Sequence, residues 1–189
     1  MNVLAINGSP RKTWNTASLL QSALDGAASV GAETTMAHLA DLSFKGCVSC
    51  FACKRKGTKY KGACALRDEA SPLLEQAVQS DVLLFGSPVY IGDVTSLTRC
   101  FWERFIFMNA TYNDQNGTNY SGAPKAVGFV YTMNLTEEGG AVYKPVFDTI
   151  DSYMRRFGWN TERYCAYDTY QFDDYAKYEA ARFDQAHKE

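Results

Sequence analysis

Asp81-Val82-Leu83-Leu84-Phe85-Gly86-Ser87-Pro88-Val89-Tyr90-Ile91-Gly92-Asp93 is the stretch on which the fold turns. Residues 82–85 are apolar without alternation, as a strand covered on both faces requires, and such strands belong to parallel sheets. Gly, Ser and Pro then end the run. The chain opens in the same way: Val3-Leu4-Ala5-Ile6 is apolar and stops at Asn7-Gly8-Ser9-Pro10. Working outward, the pattern predicts strands at 3–6, 33–38, 81–85, 126–131 and 162–166. Helices are predicted at 16–29, 71–79, 95–108, 142–157 and 173–188. Leu20, Ala23, Leu24 and Ala27 give the first helix its apolar face, with Asn15 or Thr16 as its cap. Pro72 suits an early helical position, and Gly158 closes the fourth helix. Asp173 and Asp174 near the start of the last helix, with His187 and Lys188 at its end, suit the helix dipole. Strands alternating with helices imply an α/β fold: one open parallel sheet with helices on both faces.

The remaining bounds are coarse. At 189 residues the chain makes one domain, residues 1–189. Hydrophobic residues are 46% and charged residues 21%, which argues against disorder. A net charge of −2 argues against a nucleic-acid or anionic-membrane partner. No apolar run approaches the ~18 residues of a membrane span. The N-terminus does not read as a signal peptide, so a cytoplasmic location is expected. Six cysteines are too few for a disulfide scaffold, yet four lie between Cys47 and Cys64. In such a chain that clustering points to metal or redox use.

Ligands of open α/β sheets bind outside the carboxyl ends of the strands. Three loops lie there. Gly8-Ser9-Pro10-Arg11-Lys12-Thr13-Trp14-Asn15-Thr16 leaves a buried strand and enters a helix, whose free N–H groups attract an anion. Ser9, Arg11, Asn15 and Thr16 add donors suited to a phosphate. The loop matches neither G-x-G-x-x-G nor the phosphate loop of nucleotide hydrolases. The plainer alternative is a polar turn with a capped helix. The second loop, residues 86–93, has a rigid Pro, an aromatic ring and two glycines, and can lie flat against a planar heterocycle. An ordinary Gly/Pro turn is the alternative there. Tyr131-Thr132-Met133-Asn134 is a third, polar loop.

The motifs G-S-P-R-K-x-x-N-T and G-S-P-V-Y-x-G-D resemble those of the flavodoxin-like NAD(P)H-dependent FMN reductase family, over roughly residues 2–170. The resemblance implies a three-layer sandwich around a five-stranded parallel sheet in the order 2-1-3-4-5. It implies FMN as cofactor and NAD(P)H as electron donor. A quinone, nitro compound, flavin or protein would accept the electrons. It places Ser9, Arg11, Asn15 and Thr16 on the FMN phosphate. It places Pro88, Val89, Tyr90, Ile91 and Gly92 against the isoalloxazine ring, with Thr132 flanking the ring or ribityl chain. Trp14 stands where many relatives have a small residue. No side chain is assigned as a catalytic acid or base: Asp93 and Glu103 read as capping or surface residues.

The Cys-rich loop at 45–64 contains C-x2-C-x2-C at Cys47, Cys50 and Cys53, with Cys64 further on. Three cysteines at this spacing resemble a ferredoxin-type ligand run. The loop looks like that of the family's iron–sulfur flavoprotein branch, which implies a [4Fe–4S] cluster on Cys47, Cys50, Cys53 and Cys64. In that branch the fourth ligand follows after a shorter gap. A zinc site and a metal-free loop are the alternatives. Six of the residues at 45–61 are basic, a charge suited to a thiolate site or an acidic electron partner. Cys100 and Cys165 read as buried thiols, and no C-x5-R phosphatase signature is present. Phe101, Trp102, Phe105, Ile106, Phe107 and Met108 exceed one helix face and suggest a partner surface, as do Tyr112, Tyr120, Tyr164, Tyr167, Tyr170 and Phe172. The resemblance implies a homodimer or homotetramer.

Overall fold

Side chains alternate across each strand, and that alternation sorts the core into two clusters. The computed structural model describes residues 1–112 and 125–179. Its strands are β1 (Asn2–Asn7), β2 (Glu33–His38), β3 (Val82–Pro88), β4 (Ala126–Thr132) and β5 (Asn160–Ala166). They form one parallel sheet in the order β2-β1-β3-β4-β5, the flavodoxin-like arrangement. Leu4, Ile6, Leu83, Phe85, Val127, Phe129 and Tyr131 point to one face. They meet α2 (Ser71–Gln79), α3 (Ser96–Asn109) and α5 (Lys144–Arg156) through residues such as Leu74, Trp102 and Met154. Val3, Ala5 and Val130 point to the other, against Leu20 and Leu24 of α1 (Asn15–Ser29).

The larger cluster is aromatic. Phe85 lies 5.8 to 6.2 Å from the rings of Phe101, Trp102, Phe105 and Phe129. Phe101, Trp102, Phe105 and Met108 are buried, and Phe107 packs edge-on against Phe51 of the cysteine loop. Most of the aromatic excess of α3 is therefore packed inside the chain, while Ile106 and Phe107 stay partly exposed. Tyr120 lies outside the described residues.

Two local expectations need correction. The helix expected at 173–188 is absent from its described part: residues 173–179 hold only a 3-10 turn, Tyr175–Lys177, and the rest lies outside the described residues. Neither Asn15 nor Thr16 caps α1. Trp14 occupies the cap position without a side-chain bond, and both residues sit in the first turn. A short helix, α4 (Glu137–Gly140), capped by Thr136, lies beyond the expected elements. Elsewhere the boundary signals act as read. Gly158, at φ 76°, ends α5 through N–H bonds from Gly158 to Arg155 O and from Trp159 to Met154 O.

Arg104, 1% exposed, fastens the cysteine loop to α3. Its guanidinium donates to both Asp68 carboxylate oxygens at 2.7 Å, to Leu66 O at 2.8 Å and to Lys45 O at 3.3 Å. Removing one member of such a pair strands the other charge. Arg104→Met should lower the unfolding free energy by about 3 kcal/mol. A urea midpoint that falls at unchanged slope would register the loss, and an unmoved midpoint would refute it.

Candidate functional site

The chain runs from β1 to β2 one way and back past β1 to β3 the other way, so the sheet order reverses between β1 and β3. The loop after β1 is shaped there by its own side chains. Ser9 N–H donates to Asn7 Oδ1 at 3.0 Å, and Arg11 N–H to Ser9 Oγ at 3.1 Å. The Asn7 amide also meets His38 Nδ1 at 3.0 Å. Thr16 and Thr132 share a hydroxyl bond of 2.8 Å across the crevice floor.

One crevice of about 270 Å³ collects eight of the ten residues expected at the cofactor: Ser9, Arg11, Asn15, Thr16, Pro88, Val89, Tyr90 and Thr132. Ile91 and Gly92 are not in its lining. They form the tip of a two-residue turn, with mutual bonds between Tyr90 and Asp93 and φ values of 51° and 81°. Ile91 is fully exposed, and a β-branched residue in the left-handed region is strained. Asp93 Oδ1 accepts from Val94 N–H within the turn, and the cap of α3 is Thr95, which accepts from Thr98 N–H.

Thr169, Tyr170 and Gln171 also line the crevice, and sequence reasoning missed them. The available signal was their place just past the carboxyl end of β5. Their backbone meets the β1 loop. Trp14 Nε1 and Asn15 Nδ2 donate to Tyr170 O at 2.9 and 2.7 Å. Arg11 donates to Gln171 O at 2.6 Å and stacks on Trp14 at 5.2 Å. The donor set fits a phosphate: a guanidinium, an amide, two hydroxyls and the N-terminus of α1. Pro88, Val89 and the half-exposed Tyr90 supply a wall for a flat ring, so the residues fit FMN.

A roomier depression of about 570 Å³ beside α5 and β5 shares no residue with this crevice. Its two carboxylates pair with two of its four basic side chains and leave Arg155 and Arg156 in excess. Asp148 bonds Lys144 at 2.6 Å and Arg163 at 2.9 Å, and Arg163 stands 3.5 Å from Asp151. We read it as a structural ion-pair network.

The four clustered cysteines do converge. Cys47, Cys50, Cys53 and Cys64 line one apolar cavity with Phe51, Phe107 and Arg104. Ser49 and Phe51, both non-glycine residues at positive φ, flank Cys50 and curl the loop. The cavity holds only about 20 Å³, room for one water. Among the described residues no three Cys, His, Asp or Glu are grouped to hold a metal. The loop as it stands does not fit a [4Fe–4S] cluster. Its basic character is also partly internal: the Lys54 ammonium donates to Phe107 O and Ala110 O and lies over the Phe107 ring. Burial lowers the Lys54 pKa. Cys100 and Cys165 are half-buried, not buried as expected.

A doubly wound sheet with a donor-rich crevice at its switch point defines a flavodoxin-like ligand-binding protein. The particular family follows from comparison. A model of the NADPH-dependent FMN reductase family matches residues 1–143, and the chain belongs to that family. An iron–sulfur flavoprotein of Methanocaldococcus jannaschii is 35% identical over 104 residues, 55% of this chain and 51% of that one. An iron–sulfur flavoprotein of Archaeoglobus fulgidus is 36% identical over 104 residues, 55% and 48%. The chain thus spans about half the length of the curated relatives it matches. Among solved structures, an NAD(P)H:quinone oxidoreductase from Methanothermobacter marburgensis superposes with TM-score 0.70. The identity is 16%, covering 93% of this chain and 88% of that one. No helix among the described residues is long and apolar enough to cross a membrane.

Exposure and burial rank the thiols. Cys50 is exposed, whereas burial pushes the Cys53 and Cys165 thiols up. A raised pKa means less thiolate at pH 7 and slower alkylation. Iodoacetamide followed by mass mapping should label Cys50 first. Prior labelling of Cys53 would contradict this geometry.

Proposed function

We propose that this chain binds FMN in the crevice between the β1, β3 and β4 loops and works as an NAD(P)H-dependent oxidoreductase. Electrons would leave for a quinone, nitro compound, flavin or protein acceptor. The convergence of the two sequence-distant loops on one crevice carries the reading. Bound FMN supplies the redox chemistry. The chain's own residues hold and orient it: Arg11, Asn15, Ser9 and Thr16 on the phosphate, Pro88, Val89 and Tyr90 against the ring. Ile91 and Gly92 would close over the ring edge from the exposed turn. Assembly as a homodimer or homotetramer belongs to the same proposal. A single-chain mass by light scattering at micromolar concentration would refute it.

A charge-assisted hydrogen bond contributes about 1.5–3 kcal/mol. Arg11→Ala should therefore weaken FMN binding about tenfold or more and leave riboflavin, which lacks the phosphate, unchanged. Unaltered FMN affinity in a fluorescence titration would remove the phosphate assignment.

A second reading, an iron–sulfur flavoprotein electron carrier with Cys47, Cys50, Cys53 and Cys64 as ligands, is favoured by the names of the curated relatives. It requires the cysteine loop to open. The absorption spectrum and iron content of anaerobically purified protein separate the two. Flavin bands without iron support the first. Broad brown absorbance with iron, lost in Cys50→Ser, supports the second.

A further inference from the structure

Beyond β5 the chain crosses the crevice as a strap. Asp168 N–H donates to Leu135 O at 2.8 Å and Thr169 N–H to Met133 O at 3.1 Å, which ties the strap to the loop after β4. The next two carbonyls reach the phosphate loop, where Tyr170 O takes N–H groups from Trp14 and Asn15 and Gln171 O takes one from Arg11. The strap then folds on itself. Gln171 N–H donates to Tyr175 Oη at 2.9 Å. Phe172 stacks on Tyr178 at 4.2 Å and meets Tyr175 edge-on at 5.3 Å.

The donor arithmetic matters. An indole has one N–H and no acceptor, so Trp14 is fully engaged by Tyr170. Carbonyl and phosphate oxygens are both acceptors, so they compete for the same N–H groups and repel each other at close range. Resting on the FMN reading above, we propose that residues 168–178 compete with the cofactor's phosphate. FMN loads when the Tyr170 and Gln171 carbonyls leave the phosphate loop. Until then the binding-competent fraction, and with it the apparent affinity, is reduced.

Phe172→Ala in the full chain removes the strap's own packing without touching a phosphate donor. The worth of an aromatic pair predicts about fivefold tighter FMN binding. Riboflavin affinity stays unchanged, because no phosphate contests the carbonyls. Weaker FMN binding, or an equal gain for both flavins, overturns the proposal. Should the variant fold poorly, hydrogen exchange on the unmodified chain decides. FMN should speed exchange of the amides at 169–178 and riboflavin should not, whereas FMN-induced protection there refutes the strap. If FMN binds and neither effect occurs, the strap alone is wrong. If the unmodified chain binds no FMN at all, the cofactor reading fails as well.

Discussion

The backbone of the β1 loop begins directly on strand β3. Gly8 N–H donates to Gly86 O at 2.8 Å, and the Thr95 hydroxyl donates to Gly8 O at 2.7 Å. A Cβ at Gly8 would stand 1.8 Å from Thr98 Oγ1. At Gly86 it would stand 2.6 to 2.9 Å from Leu20 and Thr16 atoms of α1. Glycine is required at both positions by space rather than by φ. This close approach sets the height of α1 over the sheet. It carries Asn15 and Thr16 to the crevice and lets Thr16 reach Thr132 on β4. The start of α3 is tied to the same point through Thr95 and Thr98, whose hydroxyls share a 2.9 Å bond. One contact between two glycines thus positions parts of β1, α1, β3 and α3 around the site.

The crevice has two kinds of wall. The start of the β1 loop and the Thr16–Thr132 floor are tied into the sheet by buried hydrogen bonds. The rim consists of exposed pieces: the strained Ile91 turn, and the Tyr170–Gln171 strap held by exposed bonds to Arg11, Trp14 and Asn15. A non-glycine residue in the left-handed region costs on the order of 1–3 kcal/mol and persists only where its surroundings impose it. Tyr90 and Asp93 impose it here by closing the turn on both sides. The result presents a fully exposed isoleucine at the rim of the crevice.

Most of the fold was legible because its signals are local or periodic. The five strands appear close to where the apolar runs placed them, and Gly158 ended its helix as read. The crevice was legible as two loops, because strand ends concentrate Gly, Ser and Pro. What failed depends on contacts distant in sequence. Acids and bases at 173–188 suit a helix dipole, but the aromatic packing of Phe172, Tyr175 and Tyr178 holds the described part in a strap. Asn15 and Thr16 are good capping types. Their side chains are recruited instead by Tyr170 and Thr132, more than 100 residues away in sequence. The α3 aromatics look excessive from one helix alone. Their partners Phe85, Phe129 and Phe51 lie on other elements.

The cysteine loop is best understood from what holds it down. Arg104 grips Asp68, Leu66 and Lys45; burial opposes its charge, while Asp68 and the Cys64 thiol sustain it. Lys54 covers the last carbonyls of α3. These contacts anchor the loop at both flanks and leave Ser49 to Phe51 as the segment under backbone strain. A ligand larger than one water must enlarge the cavity. The strained segment is the natural route, since opening it relieves two left-handed residues and spares the Arg104 bonds, at the cost of the Lys54 N–H bond to Phe51 O. Cys50, between them, is the exposed thiol.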